Sequence, residues 1–351
     1  MSSFRFFLAI IALGLVSGFS RLRNHVHDRG GLSTPNRSKK GMVQDNWEAV
    51  GKRDVLYDIP VSNHGARCRL IAYAKKLGSR IEIASPQKLG GLKSPAYVNV
   101  FSNGKMPGML TAENYPITES DTICRYMLDK YNEEFPSFIP PSAEQRVLNE
   151  QIIRTHDIYM SPVQGCMYRA SSAGFGSFGS DRQAALKFFL KQLGDIEQML
   201  DRFELYFDTE RARLRAGDEA KRMFDMARDA IEGDTDGKKS QASSDRKAPQ
   251  PYQRYRYLTG DEIALADATL FPTVVFAFWM IPRFFSHFDI PGGGYRLKAW
   301  YTFMSEDVPA AKKVREEIEE ALEEWESKGR WKEIISEVEQ WELPIEAMPF
   351  Q

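Results

Sequence analysis

Cysteine is nearly absent from this chain: there are three in 351 residues, Cys68, Cys124 and Cys166, far apart and in no Cys-x-x-Cys or Cys/His spacing. That pattern excludes a disulfide framework and implies no zinc or other metal site; scattered thiols of this kind are ordinary core residues. Charge of one sign is also lacking. With 47 Lys and Arg against 48 Asp and Glu, the formal charge is -1, which leaves no global field to attract nucleic acid. The apolar run at the N-terminus, Phe6 to Val16, falls short of the ~20 residues that span a bilayer, so no stable membrane span is expected from it. What is present is a hydrophobic fraction of 42%, enough to build the cores of two domains.

Arg5 followed by the run to Val16 has the form of a signal peptide, with Val16-Ser17-Gly18 offering small residues for cleavage before Phe19. From there to Met42 the chain carries Arg21, Arg23, Arg29, Arg37, Lys39 and Lys40 against the single acid Asp28, which is transit-peptide chemistry. Signal peptide 1–18 and leader 19–53 together resemble the bipartite presequences of algae with complex plastids. The resemblance implies a plastid destination reached through the secretory pathway; plain entry to that pathway, ending in the ER lumen or outside the cell, is the alternative.

Past the leader, Val55 to Ile59 reads as a strand, Ala66 to Leu77 as a helix ended by Gly78, and Ile81 to Ile83 as a second strand, a βαβ unit with two parallel strands. Met106 to Leu110 and Tyr115 to Thr118 read as an antiparallel hairpin, and Ser120 to Tyr131 as a closing helix in which Thr118 and Asp121 have capping-box spacing. A linker rich in proline, 132–142, separates this domain, 54–131, from a helical one, 143–351. Helices are expected over 144–170, along the stripe Leu186, Phe189, Leu193, Ile196, Leu200 and Phe203, over Ile263 to Phe278, and on the surface from Ala310 to Gln340 with a break at Gly329. Glu210 to Ile231 is heavily charged, and 232–251, almost without apolar residues, is expected to be a disordered insertion.

Three short patterns occur in fixed order: Asp58-Ile-Pro-Val-Ser62-Asn63-His64-Gly65-Ala-Arg67-Cys-Arg69, then Lys105-Met106-Pro107-Gly-Met-Leu110, then Pro116-Ile-Thr-Glu119-Ser120-Asp121. Each has an ordinary explanation. Ser62 precedes a helix and suits an N-cap, Pro107 suits the first residue of an edge strand, and Glu119-Ser120 suits another helix start. Taken together they resemble the N-terminal thioredoxin-like domain of soluble glutathione S-transferases, with Ser62-Asn63-His64-Gly65 similar to the Ser-led tau, theta and zeta classes. Asn63 and His64 replace the usual Pro-Phe. Leu258-Thr-Gly-Asp-Glu-Ile-Ala264-Leu-Ala-Asp267 resembles the start of that family's buried helix, with Ala264 in place of the usual hydroxyl cap.

The resemblance implies an α/β thioredoxin-like domain followed by an all-α domain, glutathione as co-substrate without a metal, and a homodimer. Ser62 would hold the sulfur as the catalytic residue. Lys105, Met106 and Pro107 would bind the glycyl and cysteinyl units, Pro107 in the cis form, while Glu119 and Ser120 take the γ-glutamyl end. Tyr159, Met160, Met167, Tyr168 and Trp279 are possible liners of a pocket for a hydrophobic electrophile, although Met and aromatic residues at helical spacing are more often core. The implied activity is conjugation of the glutathione thiolate in detoxification; glutathione-dependent isomerisation and a non-catalytic binding or scaffold role are the rivals.

A hydroxyl and a helix N-terminus suit this chemistry because both favour S⁻ over SH. Lowering a thiol from ~8.5 to ~6.5 raises the thiolate fraction at pH 7 about 25-fold, and the loss of nucleophilicity takes back nearly tenfold of it, so positioning of the electrophile must supply most of the rate. Gly174-Phe-Gly176-Ser-Phe-Gly179 matches a dinucleotide-binding pattern but follows a helix rather than a strand, and that reading is discarded.

Overall fold

The computed structural model describes residues 53–232, 256–286, 288 and 295–341. The signal peptide, the leader up to residue 52 and the insertion beyond Glu232 lie outside the described residues.

Four short strands form the sheet: β1 (Asp54–Tyr57), β2 (Ile81–Ala84), β3 (Gly108–Leu110) and β4 (Pro116–Thr118), in the order β2-β1-β3-β4. β1 pairs parallel with β2, Leu56 opposite Ile83, and antiparallel with β3, Leu56 opposite Met109. All four residues of β1 are buried, because both faces of this central strand are covered. Helices α1 (Asn63–Ala74) and α3 (Ser120–Lys130) contribute Leu70, Ile71, Ile123 and Met127 to the main core. A smaller core forms from Val55, Tyr57, Tyr97, Phe101 and Leu110, where the short helix α2 (Pro95–Val100) sits. This is the thioredoxin-like domain expected from the sequence.

Two local expectations change. α3 has no Thr118/Asp121 capping box: Glu119 takes the cap position at φ 66° without a side-chain cap bond, and Asp121 turns instead to Arg67 and Arg125. The stretch expected as one helix over 144–170 ends earlier. α4 (Ala143–Arg154), started by a Ser142/Gln145 capping box, runs into a π-turn at Thr155–Met160, and Pro162 then lacks the N–H that a continuing helix needs.

The helical region continues with α5 (Arg182–Glu232), one helix through both the apolar stripe and the charged stretch, then α6 (Leu265–Phe284), α7 (Tyr295–Asp307), α8 (Pro309–Ser327) and α9 (Lys332–Val338). Gly329, at φ 71°, makes the break between α8 and α9. α8 is not only a surface helix, since its stripe Ala311, Val314, Ile318 and Leu322 is buried. α6 is apolar and long enough to cross a membrane, but it is packed inside the helical region and against α1. Its start is held by fully buried Asp267, which accepts from the Ala264 and Leu258 N–H groups and from the Trp300 indole; burial pushes its carboxyl up to about 6. Ala264 thus needs no side-chain oxygen of its own. The glycines 174, 176 and 179 lie in short 3₁₀ turns with positive φ and form no strand-to-helix junction.

Candidate functional site

The turn between β1 and α1 is shaped by close packing. Ser62 caps α1, its Oγ accepting from the Gly65 N–H at 3.0 Å, and Gly65 lies so close to the Asp58 carboxyl that a Cβ would overlap it. Asp58 is fully buried. Desolvation pushes it up to about 6 against the pull of Arg69, whose guanidinium bonds Asp58, the Ile59 and Pro60 carbonyls and Glu317 on α8. Tyr73 donates to the same Glu317 at 2.7 Å.

On the other side of α1 lies a groove of about 300 Å³ between the sheet domain and the segment after α4. Lys105, Met106, Pro107, Glu119 and Ser120, all singled out in the sequence, line it together, and Met106-Pro107 is cis. Ser62 does not line it; it is 8% exposed, and the α1 side chains that reach the groove are His64 and Arg67. The helical region supplies Asp157 and Ser161, which sequence reasoning missed. The available signal was polar: Asp157 and Ser161 interrupt a segment read as helix, next to Pro162.

Arg67 is the hub of the groove floor. Its guanidinium holds both Asp157 oxygens, at 3.1 and 3.3 Å, reaches Asp121 at 3.2 Å and the Ser120 hydroxyl at 3.4 Å, and leaves Nε unpartnered. Burial would raise Asp157, but the hydrogen bond from His156 and the charge of Arg67 hold it at about 2. His156 itself is buried and its pKa is lowered, chiefly by desolvation. A neutral His156 donates from Nδ1 to Asp157 at 2.8 Å and accepts at Nε2 from Thr273 of α6 at 2.7 Å; Asn63 Nδ2 in turn donates to Thr273 at 2.8 Å. The groove is therefore built on a polar network that joins the two regions of the chain.

The five residues considered for an electrophile pocket are not gathered at this groove. Met160 and Met167 are fully buried, Tyr168 packs against Phe276, and Trp279 belongs to an aromatic cluster with Phe284 and Trp331. Tyr159 is exposed in a separate open depression with Val147 and Ile158. The three cysteines are buried; Cys68 and Cys124 have sulfurs 3.7 Å apart, and burial together with that neighbour pushes the Cys68 thiol well up. Among the described residues no cluster suited to a metal ion occurs.

Residues 56–135 match a family model described as glutathione S-transferase, N-terminal domain. Similar solved structures include Ure2p in complex with S-hexylglutathione, at 15% identity and a TM-score of 0.51 over 75% of this chain and 98% of that one. A diazinon-metabolizing glutathione S-transferase of the silkworm Bombyx mori aligns at 14% identity and TM-score 0.51, over 76% and 98%. Glutathione transferase F7 from Populus trichocarpa aligns at 16% and 0.50, over 76% and 99%. Comparison of the sequence with curated proteins finds no match. The fold of this chain is that of the glutathione S-transferases, a thioredoxin-like domain followed by a helical one.

Proposed function

We propose that the protein is a glutathione S-transferase that joins the glutathione thiolate to hydrophobic electrophiles in detoxification. The observation that carries this reading is the single groove lined by Lys105, Met106, Pro107, Glu119 and Ser120. An extended tripeptide in that groove would pair with the Met106 backbone as an added strand does. Its glycyl carboxylate would lie toward Lys105, its γ-glutamyl ammonium toward Glu119, and its γ-glutamyl carboxylate at the start of α3, where free N–H groups favour an anion. Ser62 is the residue that the family resemblance assigns to the sulfur. The protein would work as a homodimer in a plastid, delivered by its N-terminal presequence.

One observation favours a second reading, a glutathione-binding protein that does not conjugate: Ser62 is nearly buried and its oxygen is committed to capping α1. Retention on immobilised glutathione followed by assay against a panel of model electrophiles separates the two. Retention with turnover supports the transferase, retention without turnover supports the binder, and non-retention refutes both.

A further inference from the structure

His64 and Ser161 meet on the wall of the groove, one from the first turn of α1 and the other from the residue after the π-turn. His64 Nε2 lies 3.1 Å from Ser161 Oγ and 3.4 Å from Gln164 Nε2. The neighbourhood fixes which partner donates. The Gln164 amide oxygen accepts from Asn63 Nδ2, so its NH₂ faces His64, and two N–H groups cannot point at each other. His64 Nε2 therefore carries the lone pair, and the Ser161 hydroxyl donates to it. Ser161 is half-buried and lines the same groove as Met106 and Pro107.

We propose that Ser161 is a catalytic donor to the glutathione thiolate, and that His64 is the positioning residue that holds its hydroxyl ready. The inference rests on the proposed glutathione reading and deepens it. While the thiol is neutral, the Ser161 O–H is directed at His64 Nε2. When the bound thiol ionises, its S–H bond breaks, the proton leaves to solvent, and the Ser161 O–H swings from a neutral nitrogen to an anionic sulfur, the stronger acceptor. Gln164 Nε2 stands ready to take over the lone pair that His64 then exposes. A neutral thiol is a weak acceptor and does not compete with His64, so the switch stabilises S⁻ over SH selectively, which is the differential binding that catalysis needs.

His64 does not act as a base in this scheme. Desolvation, with the nearby His156, Arg67 and Arg169 outweighing Asp157, lowers it to about 4, several units below a thiol. Those four groups, from α1, the π-turn and the segment after it, are the titratable and charged groups that face it. The Ser62 hydroxyl, turned inward to the cap, takes no part in the switch.

The test is the ultraviolet absorbance of bound thiolate, titrated against pH on the full chain with glutathione, with binding measured separately by calorimetry. Ser161→Ala is expected to raise the pKa of the bound thiol by at least ~1 unit, a tenfold smaller ionisation constant, while glutathione affinity at low pH is kept. His64→Leu, which removes the acceptor that the hydroxyl must leave on ionisation, should shift it the opposite way, and His64→Gln, whose amide oxygen can accept the hydroxyl, should restore the parent value. A Ser161→Ala titration that overlays the parent, or a shift confined to Ser62→Ala, would overturn the inference and leave the glutathione reading standing. Absence of glutathione binding by the parent protein would overturn both.

Discussion

Arg67 and Arg69 leave α1 two residues apart, on opposite sides of the helix, and both reach carboxylates of the helical region. The surroundings give them different work. Arg69 is enclosed by Asp58, two backbone carbonyls and Glu317, with Tyr73 completing the Glu317 oxygens. This junction is closed to solvent: every guanidinium nitrogen of Arg69 is met within the chain, although buried Asp58 keeps one oxygen, Oδ1, without a hydrogen-bond partner, and the cluster fixes the turn that leads into α1. Arg67 has three acidic or hydroxyl partners, an unpartnered Nε and a face on the groove. A closed ion cluster clamps the fold, whereas an open one leaves capacity for a ligand.

The closed junction should break most expensively. Arg69→Met removes the cation from buried Asp58 and is expected to lower stability by about 3–5 kcal/mol, read by urea unfolding. Its remaining cost should shrink in acid, because Asp58 without Arg69 is pushed further up and protonates more readily. Gly65→Ala follows at about 2–3 kcal/mol of destabilisation, since the new Cβ meets the Asp58 carboxyl. An ordinary helical Gly→Ala would instead stabilise by ~1 kcal/mol, so even the sign of the effect is informative.

His64, on the groove side of α1, adds a pH dependence to stability. Its folded pKa, about 4, lies below the unfolded ~6.5, so the unfolded chain binds the extra proton and stability falls as pH drops through that window. From pH 6.5 to 5 the loss attributable to His64 is about 1.6 kcal/mol. Subtracting the stability-versus-pH curve of His64→Gln from that of the parent should isolate it, because raised groups such as Asp58, which act with opposite sign, are common to both.

At the open junction, Arg67→Met is expected to weaken glutathione binding at least tenfold, about 1.4 kcal/mol, by releasing Asp157 and Ser120 from their places in the groove. Fluorescence or calorimetric titration reads it. The smallest effect is expected far from both junctions. Tyr159→Ala, in the separate depression, should change stability by no more than about 0.5 kcal/mol and leave glutathione affinity unchanged.

The sheet domain was legible because its signals are local: a strand period of two, a helix after Ser62, and Pro107 ahead of β3. Glu119 and Ser120, which line the groove, were legible as a helix start for the same reason. The helical side of the groove was not, because Asp157 and Ser161 take their meaning from contacts with Arg67 and His64 about a hundred residues away in sequence. Thr118 and Asp121 had the spacing of a capping box, yet the charge of Arg67 drew Asp121 elsewhere, a tertiary ion pair overriding local capping. Ala264 looked like a lost cap for want of an oxygen, and Asp267 organises that helix start together with Asn149 and the Phe138 carbonyl, which take the Ala266 and Leu265 N–H groups. The helix α5 was divided because its charged second half hides helical period when only apolar residues are followed, and α7 was missed as well.

The proposed function requires the groove to take the γ-glutamyl end of glutathione as well as its cysteine. Calorimetric titration of the protein with glutathione and, in parallel, with cysteinylglycine, which lacks that end, tests it most directly. Glutathione is expected to bind at least ~10-fold tighter than the dipeptide, a difference of about 1.4 kcal/mol or more. Equal affinity for the two, or no binding of glutathione, would contradict it.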